Sequence, residues 1–215
     1  MFTGIIEELG TVKRAVHQGN TIELTIASSK VLTDVKEGDS IAVNGVCLTV
    51  THFNHAEFTA DVMPETYLST SLSKIKPQSK VNLERAMPAN GRFGGHFVSG
   101  HVDAVGTILR KIVKENAVYF DISIPTEYRY LLLDKGSVAI DGTSLTVMAL
   151  DDDKITVSLI PHTRNQSVLG EKKIGDQVNL EFDMLAKYID SMVNKKPKQK
   201  NADLEILLKD NGFYS

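Results

Sequence analysis

The stretch SIAVNGVCLTV, residues 40–50, returns later in the chain as SVAIDGTSLTV, residues 137–147. Ser, Ala, Gly, Leu, Thr and Val coincide at a single offset of 97 positions. The same offset holds without a gap as far as VNLE, residues 81–84 and 178–181. A fixed offset held over this length indicates an internal duplication. The sequence therefore predicts two copies of one unit; further coincident pairs are Thr59 with Thr156, Pro64 with Pro161, Thr66 with Thr163 and Leu72 with Leu169.

The beginnings of the two copies match more loosely, at an offset of 96. FTGIIEELGTV, residues 2–12, lies over VSGHVDAVGTI, residues 98–108. The glycine- and histidine-rich stretch GGHFVSGH, residues 94–101, therefore closes a linker and opens the second copy. PANGRFGG, residues 88–95, has the turn-rich composition of such a linker. Its glycines are better explained by chain reversal than by phosphate binding.

Each copy has the pattern of short β-strands rich in β-branched residues. Asn44-Gly45 and Asp141-Gly142 are dipeptides typical of two-residue type I′ hairpins, in which both central residues have positive φ. Several short strands at regular spacing favour a small barrel over an open sheet with exposed edges. We therefore predict an all-β fold of two tandem barrels, with helical turns near residues 66–72 and 163–169; the predicted strands include TIELTI, SIAVNG, CLTVTHF, EFTADV, AVYFDISI, SVAIDG, SLTVMAL and KITVSLI.

After Asp183 the apolar period changes to that of a helix, with Asp183 available as its N-cap. The apolar stripe consists of Leu185, Tyr188, Ile189, Met192 and Val193. This helix either lies across its own barrels or associates with copies of itself. A further short helix is predicted through Leu204, Leu207 and Leu208. The predicted domains are a first barrel (1–87), a linker (88–95), a second barrel (96–183), an association helix (184–194) and a charged tail (195–215).

The composition narrows the classes of partner. The 215 residues carry a formal net charge of −3, with acidic and basic residues evenly mixed. The sequence therefore shows no basic cluster of the kind that binds nucleic acid or an anionic membrane. Cys47 is the single cysteine, so no internal disulfide forms and a reducing compartment is expected. The N-terminal MFTGIIEELG lacks the basic and apolar regions of a signal peptide. We therefore expect a cytoplasmic protein with a small-molecule partner and no membrane association.

Positions that differ between the copies carry the information about chemistry. Cys47 stands where the second copy has Ser144, Ile5 where it has His101, and Glu65 where it has His162. A zinc site at His96 and His101 would need further ligands that no motif supplies. Cys47 could equally be a small buried side chain, and the histidines could serve packing alone. Ser144 lies in DGTSLTV, which is not the GxSxG elbow of a hydrolase.

At MFTGII, NGVCLTV, GGHFVSGHVD and DGTSLTV the sequence closely resembles the trimeric, alpha-type riboflavin synthase family, over about residues 1–190. The resemblance implies two six-stranded Greek-key barrels and a homotrimer held in part by the C-terminal helix. It implies a dismutation in which one 6,7-dimethyl-8-ribityllumazine gives a four-carbon unit to another. The products are riboflavin and 5-amino-6-(D-ribitylamino)uracil, and no metal or cofactor takes part. It also raises lumazine synthase as a partner.

In this family the site lies between the first barrel of one subunit and the second barrel of its neighbour, and the resemblance carries two pockets onto this chain. The first would comprise Gly4, Ile5, Ile6, Cys47, Leu48, Thr49, Asp61, Val62, Met63, Pro64, Glu65 and Thr66. The second would comprise Gly100, His101, Val102, Lys135, Ser144, Leu145, Thr146, Ser158, Leu159, Ile160, Pro161, His162 and Thr163.

His101 is the leading acid/base candidate, because an imidazole titrates near neutral pH. Ser144, Cys47 or a bound water would supply the nucleophile. The resemblance also associates Phe2, Ser40, His96 and Asp183 with activity.

Two rival functions come from neighbouring classes. Lumazine-binding and yellow fluorescent proteins of luminous bacteria have the same fold, bind a lumazine or flavin and do not catalyse the dismutation. His101, Ser144, Thr146 and Lys135 are all retained here, which favours the enzyme. A flavoprotein reductase would need a nicotinamide-binding domain, and no strand followed by GxGxxG occurs.

Overall fold

The computed structural model describes residues 1–18 and 21–194. Twelve strands form within these residues: β1 Glu8–Gln18, β2 Thr21–Ala27, β3 Ser40–Val43, β4 Val46–Phe53, β5 Glu57–Val62, β6 Lys80–Arg85, β7 Ala104–Lys114, β8 Ala117–Ser123, β9 Ser137–Ile140, β10 Thr143–Leu150, β11 Lys154–Leu159 and β12 Gln177–Phe182. The helices are α1 Pro64–Leu68, α2 Pro161–Gln166 and α3 Met184–Val193, with 3-10 turns at Lys30–Leu32, Ser71–Lys74, Thr126–Leu131 and Val168–Gly170. The helix predicted through Leu204 lies outside the described residues.

The strands close into two six-stranded antiparallel barrels, as the sequence predicts. The first has the order β1-β2-β5-β4-β3-β6 and the second β10-β11-β8-β7-β12-β9. In each barrel three hairpin-connected strands are followed by a fourth that returns beside the first of them, which is a Greek key. Alternating side chains fill the interior: in β5, Phe58, Ala60 and Val62 are fully buried. Each barrel therefore has its own apolar core.

Four strands, β1, β6, β7 and β12, are not among the strands predicted from the sequence. β1 and β7 each contain a register shift, at Val12/Arg14 and Ile108/Arg110, which interrupts the alternation. β6 and β12 are buried on both faces over most of their length. Their VNLE segments alternate apolar and polar residues, and the polar side chains on the second buried face are hydrogen-bonded to other segments: Asn82, Glu84, Asn179 and Glu181.

The two hairpin turns predicted from Asn-Gly and Asp-Gly are present. φ is 46° at Asn44 and 78° at Gly45, and 45° at Asp141 and 77° at Gly142. The prediction did not include that these turns lie against each other: a Cβ at Gly142 would stand 2.8 Å from the amide nitrogen of Gly45. The two barrels therefore meet backbone to backbone at their β3–β4 and β9–β10 turns.

A reciprocal pair of asparagines joins the barrels beside these turns. Asn82 Nδ2 donates to the carbonyl of Asp141, and Asn179 Nδ2 donates to the carbonyl of Asn44, each at 2.8 Å. Their side-chain oxygens accept from the backbone N–H of Val168 and Ser71 respectively. Buried amides bonded on both sides fix one relative orientation of the two copies.

Helix α3 follows the second barrel and starts as predicted. The side chain of Asp183 accepts a hydrogen bond from the Leu185 N–H, the N-cap arrangement. Within one chain the apolar stripe is not covered by the barrels: Ile189 is 61% exposed and Met192 is 71% exposed. No helix within the described residues is long and apolar enough to cross a membrane.

Candidate functional site

The start of each copy crosses to the other copy. Phe2 and Val98 exchange two backbone hydrogen bonds, from the Phe2 N–H to the Val98 carbonyl at 2.7 Å and in return at 3.2 Å. Both side chains are buried in an apolar cluster with Ala42 and Ala139, between the barrels. Phe2 therefore serves to hold the crossing and does not face solvent.

Beyond the Phe2–Val98 crossing, Gly4 of the first copy lies against β10, which carries Ser144 of the second copy. Gly100 of the second copy lies against β4, which carries Cys47 of the first copy. The Ser144 N–H donates to the Gly4 carbonyl, and the Cys47 N–H donates to the Gly100 carbonyl, both at 2.8 Å. A Cβ at Gly4 would lie 2.6 Å from the Ser144 Cβ, and one at Gly100 would lie 2.5 Å from the Cys47 Cβ. Only glycine permits this approach.

Within one chain these contacts place Gly4 beside Ser144 and Gly100 beside Cys47, an arrangement that differs from the predicted grouping. The prediction grouped Gly4 with Cys47 and Gly100 with Ser144, because it followed the order of the copies along the chain. The Phe2–Val98 exchange reverses both pairings. We call the two regions the Ser144 pocket, which begins at residues 4–6, and the Cys47 pocket, which begins at residues 100–102.

Two buried carboxylates, which no sequence motif singled out, hold these segments. Glu84 accepts from the Thr3 N–H and Oγ1 at 2.7 Å and from the Gly4 N–H at 3.0 Å. Glu181 accepts in the same way from Ser99 and Gly100. Burial raises the pKa of Glu84, and the hydrogen bonds from Thr3 and Gly4 act in the opposite direction. The repeated VNLE was the available signal, since it contains both of these glutamates and both cross-barrel asparagines.

His96 and Ser144 form the closest pairing of candidate catalytic side chains in the described residues. His96 Nδ1 lies 2.7 Å from Ser144 Oγ. The histidine is 7% exposed, and its Nε2 is buried without a hydrogen-bond partner among the described residues. Burial lowers the pKa of His96, and the nearby Asp183 carboxylate partly opposes this. A neutral imidazole held against a hydroxyl can accept its proton and so activate it as a nucleophile.

His96 is therefore an acid/base candidate beside His101, which the sequence analysis put first. The His101 side chain is exposed, next to Gly100, on the side of the Cys47 pocket. It remains an acid/base candidate for that pocket. Asp183, which caps helix α3, acts on His96 through its charge.

The remaining predicted residues lie on matching surfaces of the two barrels. Ser40 pairs with Thr49 across β3 and β4, and lines a cavity of about 560 Å³ with Ile5 and the linker. The other members of the first set lie on β4, β5 and α1: Cys47, Leu48, Asp61, Val62, Met63, Pro64, Glu65 and Thr66. Those of the second set lie on β10, β11 and α2, or beside them: Leu145, Thr146, Ser158, Leu159, Ile160, Pro161, His162 and Thr163.

The predicted residues on the two barrels differ in charge. Asp61 and Glu65 are exposed on the first barrel, whereas Lys135 and His162 are exposed on the second, where the predicted set contains no carboxylate. The two regions have matching backbones but different charged side chains, so their electrostatic fields at a bound ligand differ.

The buried environment of His96 predicts that the rate of the catalysed reaction falls at acidic pH, which gives the pH profile an acid limb. Because its pKa lies below the ordinary 6.5, the neutral form persists at neutral pH and is lost as the pH falls through that lowered value. We expect kcat/KM to decline only below the ordinary histidine range. In Asp183→Asn, which retains a capping side chain, loss of the negative charge should move the limb to still lower pH. A limb at or above 6.5 in the parent chain, or one that Asp183→Asn leaves in place, contradicts this assignment.

Comparison with known proteins matches this architecture. Residues 3–86 and 99–183 each match the lumazine binding domain. The chain is 52% identical to the riboflavin synthase of Bacillus subtilis over 99% of its own length and all of that protein, and 51% identical to that of Actinobacillus pleuropneumoniae over the same shares.

Among solved structures it is similar to LumP complexed with 6,7-dimethyl-8-(1'-D-ribityl) lumazine and to LumP complexed with riboflavin. The TM-scores are 0.76 and 0.78 and the identities 25% and 26%, over 85% of this chain and 99% of LumP. With two lumazine-binding barrels and full-length identity of this degree, the chain belongs to the riboflavin synthase family.

Proposed function

We propose that this chain is a riboflavin synthase, a transferase that converts two molecules of 6,7-dimethyl-8-ribityllumazine into riboflavin and 5-amino-6-(D-ribitylamino)uracil. The observation that carries the proposal is that the two pockets share the same backbone contact but have different side chains, a serine in one and a cysteine in the other. Gly4 meets Ser144 and Gly100 meets Cys47 through the same hydrogen bond at the same distance. Two identical substrates need two similar pockets, whereas donation and acceptance of the four-carbon unit need the pockets to differ.

The Ser144 pocket is assigned the nucleophilic step. The Ser144 hydroxyl, with its proton passing to His96 Nδ1, either adds to the lumazine ring or orients a water that does so. Around it we place Gly4, Ile5, Ile6, Lys135 and the second-barrel residues on β10, β11 and α2. Main-chain groups and hydroxyls in these segments suit a heterocycle with carbonyls and a polyhydroxyl chain.

The Cys47 pocket is assigned to the other lumazine, with His101 at its edge as the group that exchanges a proton with the 7-methyl carbon. The His101 side chain is exposed, so its imidazole can pass a proton between the ligand and solvent. Much of the acceleration comes from holding two rings in one orientation.

We propose that the working molecule is a homotrimer in which the Ser144 pocket of one subunit faces the Cys47 pocket of another. The exposed apolar side chains of α3 support association, because a monomer rarely leaves such a stripe uncovered. Beside the stripe, Tyr130, Leu133 and Ile189 line a cavity of about 600 Å³. Sedimentation equilibrium of the purified chain measures the subunit number directly. A cytoplasmic location and an association with lumazine synthase stay predictions.

The activity is tested by mixing purified chain with 6,7-dimethyl-8-ribityllumazine and following riboflavin absorbance, with no metal or cofactor added. We expect repeated turnover with two lumazines consumed per riboflavin formed. Tight binding without turnover would instead place the chain with the lumazine-binding fluorescent proteins. Ser144 and His96 favour the first outcome, because a pure binding protein has no use for an activated hydroxyl.

A further inference from the structure

We propose that Phe93 and Phe97 form an aromatic wall that positions the ring of one lumazine at the Ser144 pocket. The inference rests on the proposed function and extends it to two aromatic residues, in and beside the linker, outside both predicted sets. Their ring centroids are 4.5 Å apart with an interplanar angle of 39°, so the two rings contact each other. Both nevertheless stay open to solvent, Phe93 at 43% and Phe97 at 41%.

The three residues between these rings all face the Ser144 pocket. A Cβ at Gly94 would lie 3.5 Å from Ile5, and one at Gly95 would lie 3.1 Å from Ser144 Oγ. His96 itself holds Ser144 through Nδ1. The segment that contacts Ser144 is therefore flanked along the chain by an exposed phenyl ring at each end.

The pocket needs such a wall, because the predicted ligand residues do not provide one. Neither predicted set contains Phe, Tyr or Trp, although the ligand is a flat conjugated heterocycle. Phe2 is fully buried between the barrels and offers no ring face. An offset-stacked or edge-to-face aromatic contact adds about 0.5–1.5 kcal/mol beyond the area it buries. An exposed aromatic pair that flanks the segment contacting Ser144 is suited to that contact.

The linker is also anchored well enough to hold a ring in place. The His96 N–H donates to the Thr3 carbonyl at 3.1 Å, and the Met87 N–H donates to the Met1 carbonyl at 2.9 Å. Inside the linker the Gly91 N–H closes a turn onto the Pro88 carbonyl. Both ends of the loop are therefore fixed to the N-terminal segment that shapes the Ser144 pocket, and the wall is preorganised.

The test compares Phe93→Ser and Phe97→Ser, alone and together, with Phe97→Tyr. Phe53→Ser is the matched control, since Phe53 is also 41% exposed but lies at the end of β4. We expect the double variant to raise KM for the lumazine about tenfold, the factor that corresponds to about 1.4 kcal/mol, with a smaller change in kcat. Phe97→Tyr should retain the parent KM, and Phe53→Ser should leave both constants unchanged.

Binding of riboflavin, followed by the change in its fluorescence, gives a readout that does not require turnover. The double variant should weaken this binding by a similar factor even if the parent chain fails to make riboflavin, so failure of the proposed function and failure of the wall are separable. Unchanged KM and riboflavin affinity in the double variant overturn the proposal. So does a loss of affinity that sedimentation traces to dissociation of subunits and that a higher protein concentration restores.

Discussion

Replacing Ser144 by alanine is expected to lower kcat for riboflavin formation by about 10²–10⁴-fold, the range typical of a positioned acid/base or nucleophilic group. The variant removes the only side-chain hydrogen bond of His96 found among the described residues. It leaves untouched the Ser144 N–H that donates to the Gly4 carbonyl, so the pocket keeps its shape. Riboflavin affinity should therefore change much less than turnover, and steady-state kinetics with a fluorescence titration separate the two.

His96→Gln serves as the partner variant, because glutamine can hydrogen-bond Ser144 but cannot take its proton. Two residues that act as one unit give non-additive losses, so Ser144→Ala combined with His96→Gln should be no slower than the worse single variant. Ser137→Ala, on β9 of the same barrel, is the control for loss of a hydroxyl. Additive losses in the double variant, or a large loss in Ser137→Ala, would contradict the assignment.

The largest effect on stability is expected from Gly142→Ala. The new Cβ would lie 2.8 Å from the amide nitrogen of Gly45 and 2.9 Å from its Cα, at a φ of +77°. Backbone strain at positive φ costs about 1–2 kcal/mol, and forced overpacking adds about 1–3 kcal/mol. The sum, roughly 2–5 kcal/mol, corresponds to a fall in Tm of about 4–20 °C at about 2–4 °C per kcal/mol. Differential scanning calorimetry at one protein concentration measures it.

Gly175→Ala is the matched control, since Gly175 has a φ of +91° and no atom lies within 4 Å of the position that an alanine methyl would occupy there. It carries the backbone strain without the contact. The difference in Tm between the two variants therefore reports the meeting of the two turns alone. Equal shifts would mean that the backbone contact between the barrels contributes nothing to stability.

The sequence was sufficient to predict the structural elements that depend on residues close together in the chain. The 97-residue offset predicted two equal units, the Asn44-Gly45 and Asp141-Gly142 dipeptides predicted hairpin turns with positive φ, and Asp183 marked the start of a helix. Each turn and cap depends on the preferences of a few neighbouring residues. Strands β1 and β7 were missed because two consecutive charged residues beside the register shift, Lys13-Arg14 and Arg110-Lys111, interrupt the alternation that reveals a strand.

The arrangement of the site depended on contacts that a single sequence does not encode locally. Nothing near Gly4 shows that its carbonyl accepts from Ser144 rather than from Cys47, since both nucleophile positions have the same flanking pattern. His96 was recognised only by resemblance, because its partner is 48 positions away. From the sequence, Glu84 and Glu181 resemble ordinary exposed carboxylates near the ends of strands. Only the structure shows the distant segments to which they are hydrogen-bonded. Long-range backbone contacts, rather than side-chain patterns, decide these pairings.

The Phe2–Val98 exchange also sets the order in which the protein matures during synthesis. Residues 2–4 are synthesised well before two of their hydrogen-bond partners, Val98 and Ser144, which emerge only after the first barrel and then much of the second. The first barrel has its own apolar core, and its Glu84 can bind Thr3 and Gly4 before the second copy is made. Contacts so distant along the chain form late, since their loop-closure entropy must be overcome first. The Ser144 pocket is therefore completed only after much of the second barrel has been synthesised, and a nascent chain holding only the first barrel lacks it.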